Sequence, residues 1–181
     1  GDGEAFLDHG EWNAEVTLDE EEVNVPLIIT RAGLTPRVVA RVVTTIDLFP
    51  TILELTGAPV PQNDGESLVP LLEGRDRDYH RERAFSESRM DRGIQMDRGI
   101  QRAVREGKWK LISRRGRPLE LYDLASDPGE IRNRAGDERV RADKLAGDVR
   151  AALARKQSAG AETAPIDDDL RRRLESLGYG R

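Results

Sequence analysis

The residues predict an α/β chain whose second half forms a small antiparallel sheet plus helix subdomain, and three observations carry that expectation. From Val23 to Thr30 runs a short, β-branched, nearly continuous apolar stretch, the pattern of a strand buried on both faces. Ile46, Phe49, Ile52 and Leu53 then recur at helical spacing. Past Ala84, the segments AFSES, QRAVREG, WKLISRR and PLELYDL are short and β-rich, and turn formers including Gly107 and Gly116 separate them.

In chain order, the acids Asp19 to Glu22 precede the apolar run and read as a solvated face or a helix N-terminus. Four consecutive acids point in different directions on any regular backbone, so they do not make a cation cage. In TTIDLFPTILELTG, Asp47 can cap, Pro50 fits only a first turn and Gly57 stops the helix. APVPQNDG is a loop, and SLVPLLEG is at most a helical turn. The strands of the second half should make a meander. Asp127, Pro128 and Glu130 in SDPGE then offer an N-cap, a first-position proline and a capping-box acid. From about Asp137 to Lys156 the chain reads as a polar helix with Val140, Leu145, Val149 and Leu153 on one side. A linker over 158–164 leads to DDDLRRRLESLGYGR, a last short helix in which Arg171–Arg173 offset neighbouring acids. Trp109 and Tyr122 are expected to pack against the helix that begins near Asp137. The organisation expected is therefore 1–74, 75–157 and 158–181.

At 181 residues the chain can bury a core. Its formal charge is −5 and its mean hydropathy −0.63, with arginines interspersed among acids. That pattern disfavours nucleic acid as a partner. The longest apolar runs fall far short of a membrane span. The absence of cysteine excludes disulfides and thiolate metal sites. The opening residues carry no initiator Met and no signal-peptide pattern, and read as an internal start. Met90–Gln95 and Met96–Gln101 are identical hexapeptides, too short for a solenoid repeat. An even insertion preserves strand alternation, so the duplication reads as a lengthened hairpin or loop.

The ordered series DHGEW, EEEVNVPLII, TTIDLFPTILELTGAPVP, DGESLVPLLEG, AVREGKWKLI, LYDLASDPGE and LESLGYGR resembles the C-terminal half of type I sulfatases across nearly the whole chain. The resemblance implies the C-terminal part of an alkaline-phosphatase-like α/β fold: 1–74 as a remnant of the catalytic domain, 75–157 as the antiparallel-sheet and helix subdomain, and 158–181 as linker and C-terminal helix. It also implies sulfuric ester hydrolysis in the complete protein, with formylglycine as nucleophile, a divalent cation, usually calcium, and a sulfate ester as substrate. The nucleophile motif Cys/Ser-x-Pro-x-Arg is missing; the nearest match, Ser126-Asp127-Pro128-Gly129-Glu130, has Glu in place of Arg. No residue here is assigned as catalytic, and no cofactor is expected on this chain alone.

Further departures concern the metal and sulfate positions. The family's metal-binding stretch falls on Gly1-Asp2-Gly3-Glu4, which leaves Asp2 as candidate metal ligand and loses one other ligand whichever way the gap is placed. The sulfate-contacting cation falls on Ala14 or Glu15, neither of which is cationic, and Asp19 replaces a Tyr. His9 reads either as a substrate-proximal residue on the active-site rim or as a turn residue. Trp12 reads either as lining the substrate entrance or as packing. The leading expectation is a sulfatase C-terminal segment inactive by itself. The alternatives are a binding or assembly module derived from one, or part of a related phosphodiesterase or phosphonate hydrolase.

Overall fold

The computed structural model describes residues 18–89 and 100–158. Two compact units divide the chain, Gly1–Val149 and Arg150–Arg181, and the sheet and both cores lie within the first. Strands β1 (Arg83–Arg89), β2 (Ile100–Glu106), β3 (Trp109–Arg114) and β4 (Glu120–Asp123) form an antiparallel sheet in sequence order, the expected meander. Gly107 and Gly116 sit at its tight turns with φ of 58° and 73°, a region glycine enters without Cβ strain. The register pairs Phe85 with Val104, Val104 with Leu111 and Leu111 with Leu121.

Because side chains alternate along a strand, this register separates the sheet into two unlike faces. One carries Arg83, Phe85, Val104, Glu106, Trp109, Leu111 and Leu121. Helix α4 (Arg139–Ser158) lies along it: Lys144 Nζ is 2.9 Å from Glu106, Asp148 is 3.5 Å from Arg83, and the Arg141 guanidinium stacks 4.7 Å from the Trp109 ring centre. The buried stripe of α4 is Ala142, Leu145, Ala146 and Val149, spaced for one helical face. Val140, expected on that stripe, is 87% exposed.

Ala103, Lys110, Ile112, Arg114, Glu120 and Tyr122 occupy the opposite face. Leu18 packs there with Ala103, Ile112 and Tyr122, assisted by Val23 and Leu124. Tyr122 therefore turns away from α4, whereas Trp109 meets it as expected. Register parity decides the difference, since Trp109 pairs with Asp123 and Tyr122 pairs with Lys110.

A second core joins Leu68, Leu71 and Tyr79 with Ile29, Val39, Val43 and Leu48. Helix α2 (Leu48–Thr56) follows a 3₁₀ turn at Thr45–Asp47 and stops at Gly57, where φ is 72° and the Ala58 N–H closes onto the Leu53 carbonyl. Pro50 lies in its first turn, as expected. Helix α3 (Val69–Leu72) is the predicted short turn.

Two local expectations are corrected. Val23–Thr30 is not a strand: α1 (Glu20–Val23) takes its beginning, and the rest is irregular chain with no ladder partner among the described residues. A strand buried on both faces needs a neighbour on each edge, and without them Ile28 is 84% exposed. SDPGE does not start a helix either. Asp127 accepts the N–H groups of Ile131 and Arg132 at 3.1 and 2.8 Å, closing a turn, and α4 begins nine residues after Glu130.

Candidate functional site

The sequence places its candidates Asp2, His9 and Trp12, with Ala14 and Glu15, ahead of Leu18, and all five lie outside the described residues. What the structure describes is how the chain leaving that stretch is held. Leu18 fills an apolar hollow on the polar face of the sheet, and the residues after it enter a buried cluster of charges.

Asp19 lies 3.3 Å from the Arg114 guanidinium. The Glu20 carboxylate pairs with Arg105, and its other oxygen is 3.2 Å from Lys110 Nζ. Lys110, itself 1% exposed, is also 2.9 Å from Glu130 Oε1. Glu130 accepts the backbone N–H of Glu20 through its second oxygen, so it holds both the lysine and the peptide of α1. Arg114 completes the set with Glu120 and with Gln101, whose Oε1 is 3.0 Å from Arg114 Nε; the Tyr122 hydroxyl lies 3.1 Å from Glu120. Burial pushes the Glu130 carboxyl above its ordinary value, against the opposing pull of Lys110 and the Glu20 N–H. Burial also raises Tyr122, with the Glu120 charge adding to the effect.

Glu130 reaches this position from an unusual backbone, with φ of 52°, the one described non-glycine residue in that region. Such a conformation carries strain that surrounding contacts must offset. Here the contacts are the Lys110 ion pair and the Glu20 N–H.

A second polar centre supports the adjoining core. Asp47 is fully buried and accepts four donors: the N–H of Thr44 at 2.9 Å, the N–H of Glu66 at 2.8 Å, Arg81 Nη2 at 2.7 Å and the Tyr79 hydroxyl at 3.0 Å. Burial would raise its carboxyl, but the two backbone donors, Tyr79 and Arg81 together hold it below the usual range. Asp47 therefore ties the N-terminal turn of α2 to the loop before α3 and to the segment that leads into β1.

In both centres each carboxylate named is engaged by a cation or an N–H. Among the described residues no three His, Cys, Asp or Glu side chains converge as a metal site. Asp19 and Glu20 face separate cations, Arg114 for the first and Arg105 with Lys110 for the second. The stretch nearest the nucleophile motif is likewise committed: Asp127 closes its turn and Glu130 is buried against Lys110. Sequence reasoning missed Lys110 and Arg114, and gave Asp47 and Glu130 only the role of helix caps. The one available signal was a lysine alternating with apolar residues inside WKLIS, a charge on a sheet face that had to be covered.

The described residues thus form a four-stranded antiparallel meander backed by one long helix, with an acidic turn clamped on its other face. Residues 8–159 match the family described as N-sulphoglucosamine sulphohydrolase, C-terminal, and the chain belongs to that family of sulfatase C-terminal domains. It is similar to a choline-sulfatase of Rhizobium meliloti (strain 1021), 30% identical over 141 residues, covering 76% of this chain and 26% of that protein. A solved putative sulfatase from Bacteroides thetaiotaomicron superposes with a TM-score of 0.71 at 28% identity, covering 87% of this chain and 34% of the other. A solved phosphonate monoester hydrolase from Silicibacter pomeroyi gives a TM-score of 0.64 at 30% identity, covering 86% and 34%. The chain thus spans about a quarter to a third of the length of these relatives.

Proposed function

We propose that this chain is the C-terminal segment of an alkaline-phosphatase-superfamily enzyme that hydrolyses sulfate esters, and that it turns over no substrate by itself. The observation that supports this reading is the match over residues 8–159 to a sulfatase C-terminal family, together with the superposition on the solved sulfatase. In the complete enzyme, formylglycine and a divalent cation, calcium, would come chiefly from the preceding part of the fold, with Asp2 as the ligand this chain contributes and His9 and Trp12 near the substrate. The segment's own work is to carry the DHGEW stretch and to seat Leu18–Val23 on the sheet.

The test is co-expression of this chain with a formylglycine-bearing N-terminal half, assayed on an aryl sulfate beside each part separately. Turnover only by the pair is expected. Rebuilding Gly1-Asp2 as Asp-His and replacing Ala14 by Lys should raise it, since one missing electrostatic partner commonly costs about 100- to 1,000-fold. Equal turnover by both versions would overturn the assignment of those positions. The likeness to the phosphonate monoester hydrolase supports a second reading, hydrolysis of a phosphonate monoester; a preference of the pair for an aryl phosphonate ester over the sulfate would select it.

We also propose the division into 1–74 as catalytic-domain remnant, 75–157 as sheet and helix subdomain and 158–181 as linker and terminal helix. Slowest hydrogen exchange within 84–154 would support it, and slowest exchange in 23–30 would not. The contacts of Tyr79 and Arg81 with Asp47 cross the boundary at 74, so the exchange of residues 75–82 is the informative part.

A further inference from the structure

We propose that the buried charge cluster on the polar face of the sheet is an acid-strengthened clamp, which holds the Leu18–Val23 segment more firmly as pH falls toward the ordinary carboxyl range. Among the described residues four carboxylates, Asp19, Glu20, Glu120 and Glu130, meet the cations Arg105, Lys110 and Arg114, and the buried Lys110 is shared by two of them, Glu20 and Glu130. Two carboxylates around one buried ammonium are costly to keep ionised together. Protonating one of the two relieves that repulsion.

Glu130 is the carboxyl placed to take that proton. It is 4% exposed, it sits on a strained backbone, and among the described residues its two oxygens meet Lys110 and the Glu20 peptide. The groups around it are Asp19 and Glu20 on α1, with Glu21 and Glu22 on the same turn; Arg105 on β2; Lys110 and Arg114 on β3; and Glu120 and Tyr122 on β4. Lys110 keeps Glu20 as a partner when Glu130 is neutral, so its charge is not stranded. Burial raises the Glu130 carboxyl above its ordinary value. A carboxyl raised in the folded state makes the clamp weaker as pH rises from its unfolded value through its folded one, and stronger on the way down.

The consequence is local. Leu18 lies six residues after Trp12, so the clamp anchors one end of the stretch that carries the DHGEW motif. Its pH dependence is a property of the clamp and is the same whichever ester the complete protein cleaves.

The experiment uses the full 181-residue chain. Hydrogen exchange of the Glu20, Val23 and Asn24 amides, which donate to Glu130, Asp19 and Glu20, is followed from pH 5 to pH 7.5 and corrected for intrinsic rates. Their protection should fall as pH rises across that range. In Glu130→Gln it should be flat. A flat profile in the unaltered chain, or an equal slope in the variant, overturns the proposal. A ¹³C titration of the Glu130 carboxyl in the unaltered chain gives a second reading that no folding defect can obscure, and a midpoint at or below that of an ordinary glutamate also overturns it.

Discussion

Replacing Asp47 by Ala should be among the most damaging single changes in the described residues. The carboxylate is fully buried, and its removal strands four donors at once: two backbone N–H groups, the Tyr79 hydroxyl and the Arg81 guanidinium. Breaking a buried ion pair by deleting one partner costs about 3–5 kcal/mol. Each buried donor left unsatisfied costs about 1–3 kcal/mol, and these losses overlap because all four meet the same two oxygens. A total of about 4–6 kcal/mol is therefore expected, a large part of the stability of an ordinary domain. Arg81, with a side chain 16% exposed, can turn toward water, which keeps the figure from rising further. The assay is urea denaturation followed by circular dichroism at pH 7, with a Tyr79→Phe cycle to isolate the hydroxyl. A loss below about 1 kcal/mol at unchanged urea slope would mean that the donors find water, and would refute this account of the hub. The same carboxyl gives a pH signature. Because its folded value lies below its unfolded one, its contribution is complete above the unfolded value and is lost as pH falls through the folded one. Acid melting of the unaltered chain below about pH 4 should be steeper than that of Asp47→Asn.

Deleting Met90–Gln95 should leave the sheet in register, since Arg89 would still precede Met-Asp-Arg-Gly-Ile-Gln and meet Ile100 across the hairpin. The connection shortens from ten residues to four, worth about 0.8 kcal/mol in closure entropy, so thermal melting should show equal or higher stability; a loss above about 1 kcal/mol would contradict it. Gly65→Ala should cost about 1–3 kcal/mol by overpacking, because a Cβ there falls 2.2 Å from the Ile46 carbonyl oxygen; an unchanged melting temperature would count against that contact. The outward stripe of the Thr45–Asp47 turn and α2, with Ile46 49%, Phe49 50% and Ile52 59% exposed, should drive self-association of the isolated chain. Sedimentation velocity is expected to show that association reduced in Phe49→Asp with Ile52→Lys, and a clean monomer before substitution would refute it.

The stripe on α2 shows where local pattern and tertiary context part. Spacing was enough to find the helix, with its proline in the first turn and its stop at Gly57, because those signals act within one turn. The pattern also marked Ile46, Phe49 and Ile52 as a face to be covered. In this fold the buried side is instead Asp47, Pro50 and Thr51, with Leu48 against the second core. Val23–Thr30 behaves in the same way: its composition asks for neighbours on both edges, and strand identity depends on ladder partners that no local sequence contains.

The meander was legible from residue order, since alternation, the two turn glycines and short connections are interactions between near neighbours. The family likeness was legible too, because it lies in ordered motifs and needs no coordinates. What covers each face of the sheet had to come from the assembled fold. Register parity sent Trp109 toward α4 and Tyr122 away from it. Long-range packing brought Glu20 to Lys110, ninety positions on, and turned Glu130 from an expected helix cap into a buried partner of both. A buried charge is tolerable only beside its counter-charge. Which counter-charge it meets is set by how distant segments stack, and periodicity along one segment cannot report that.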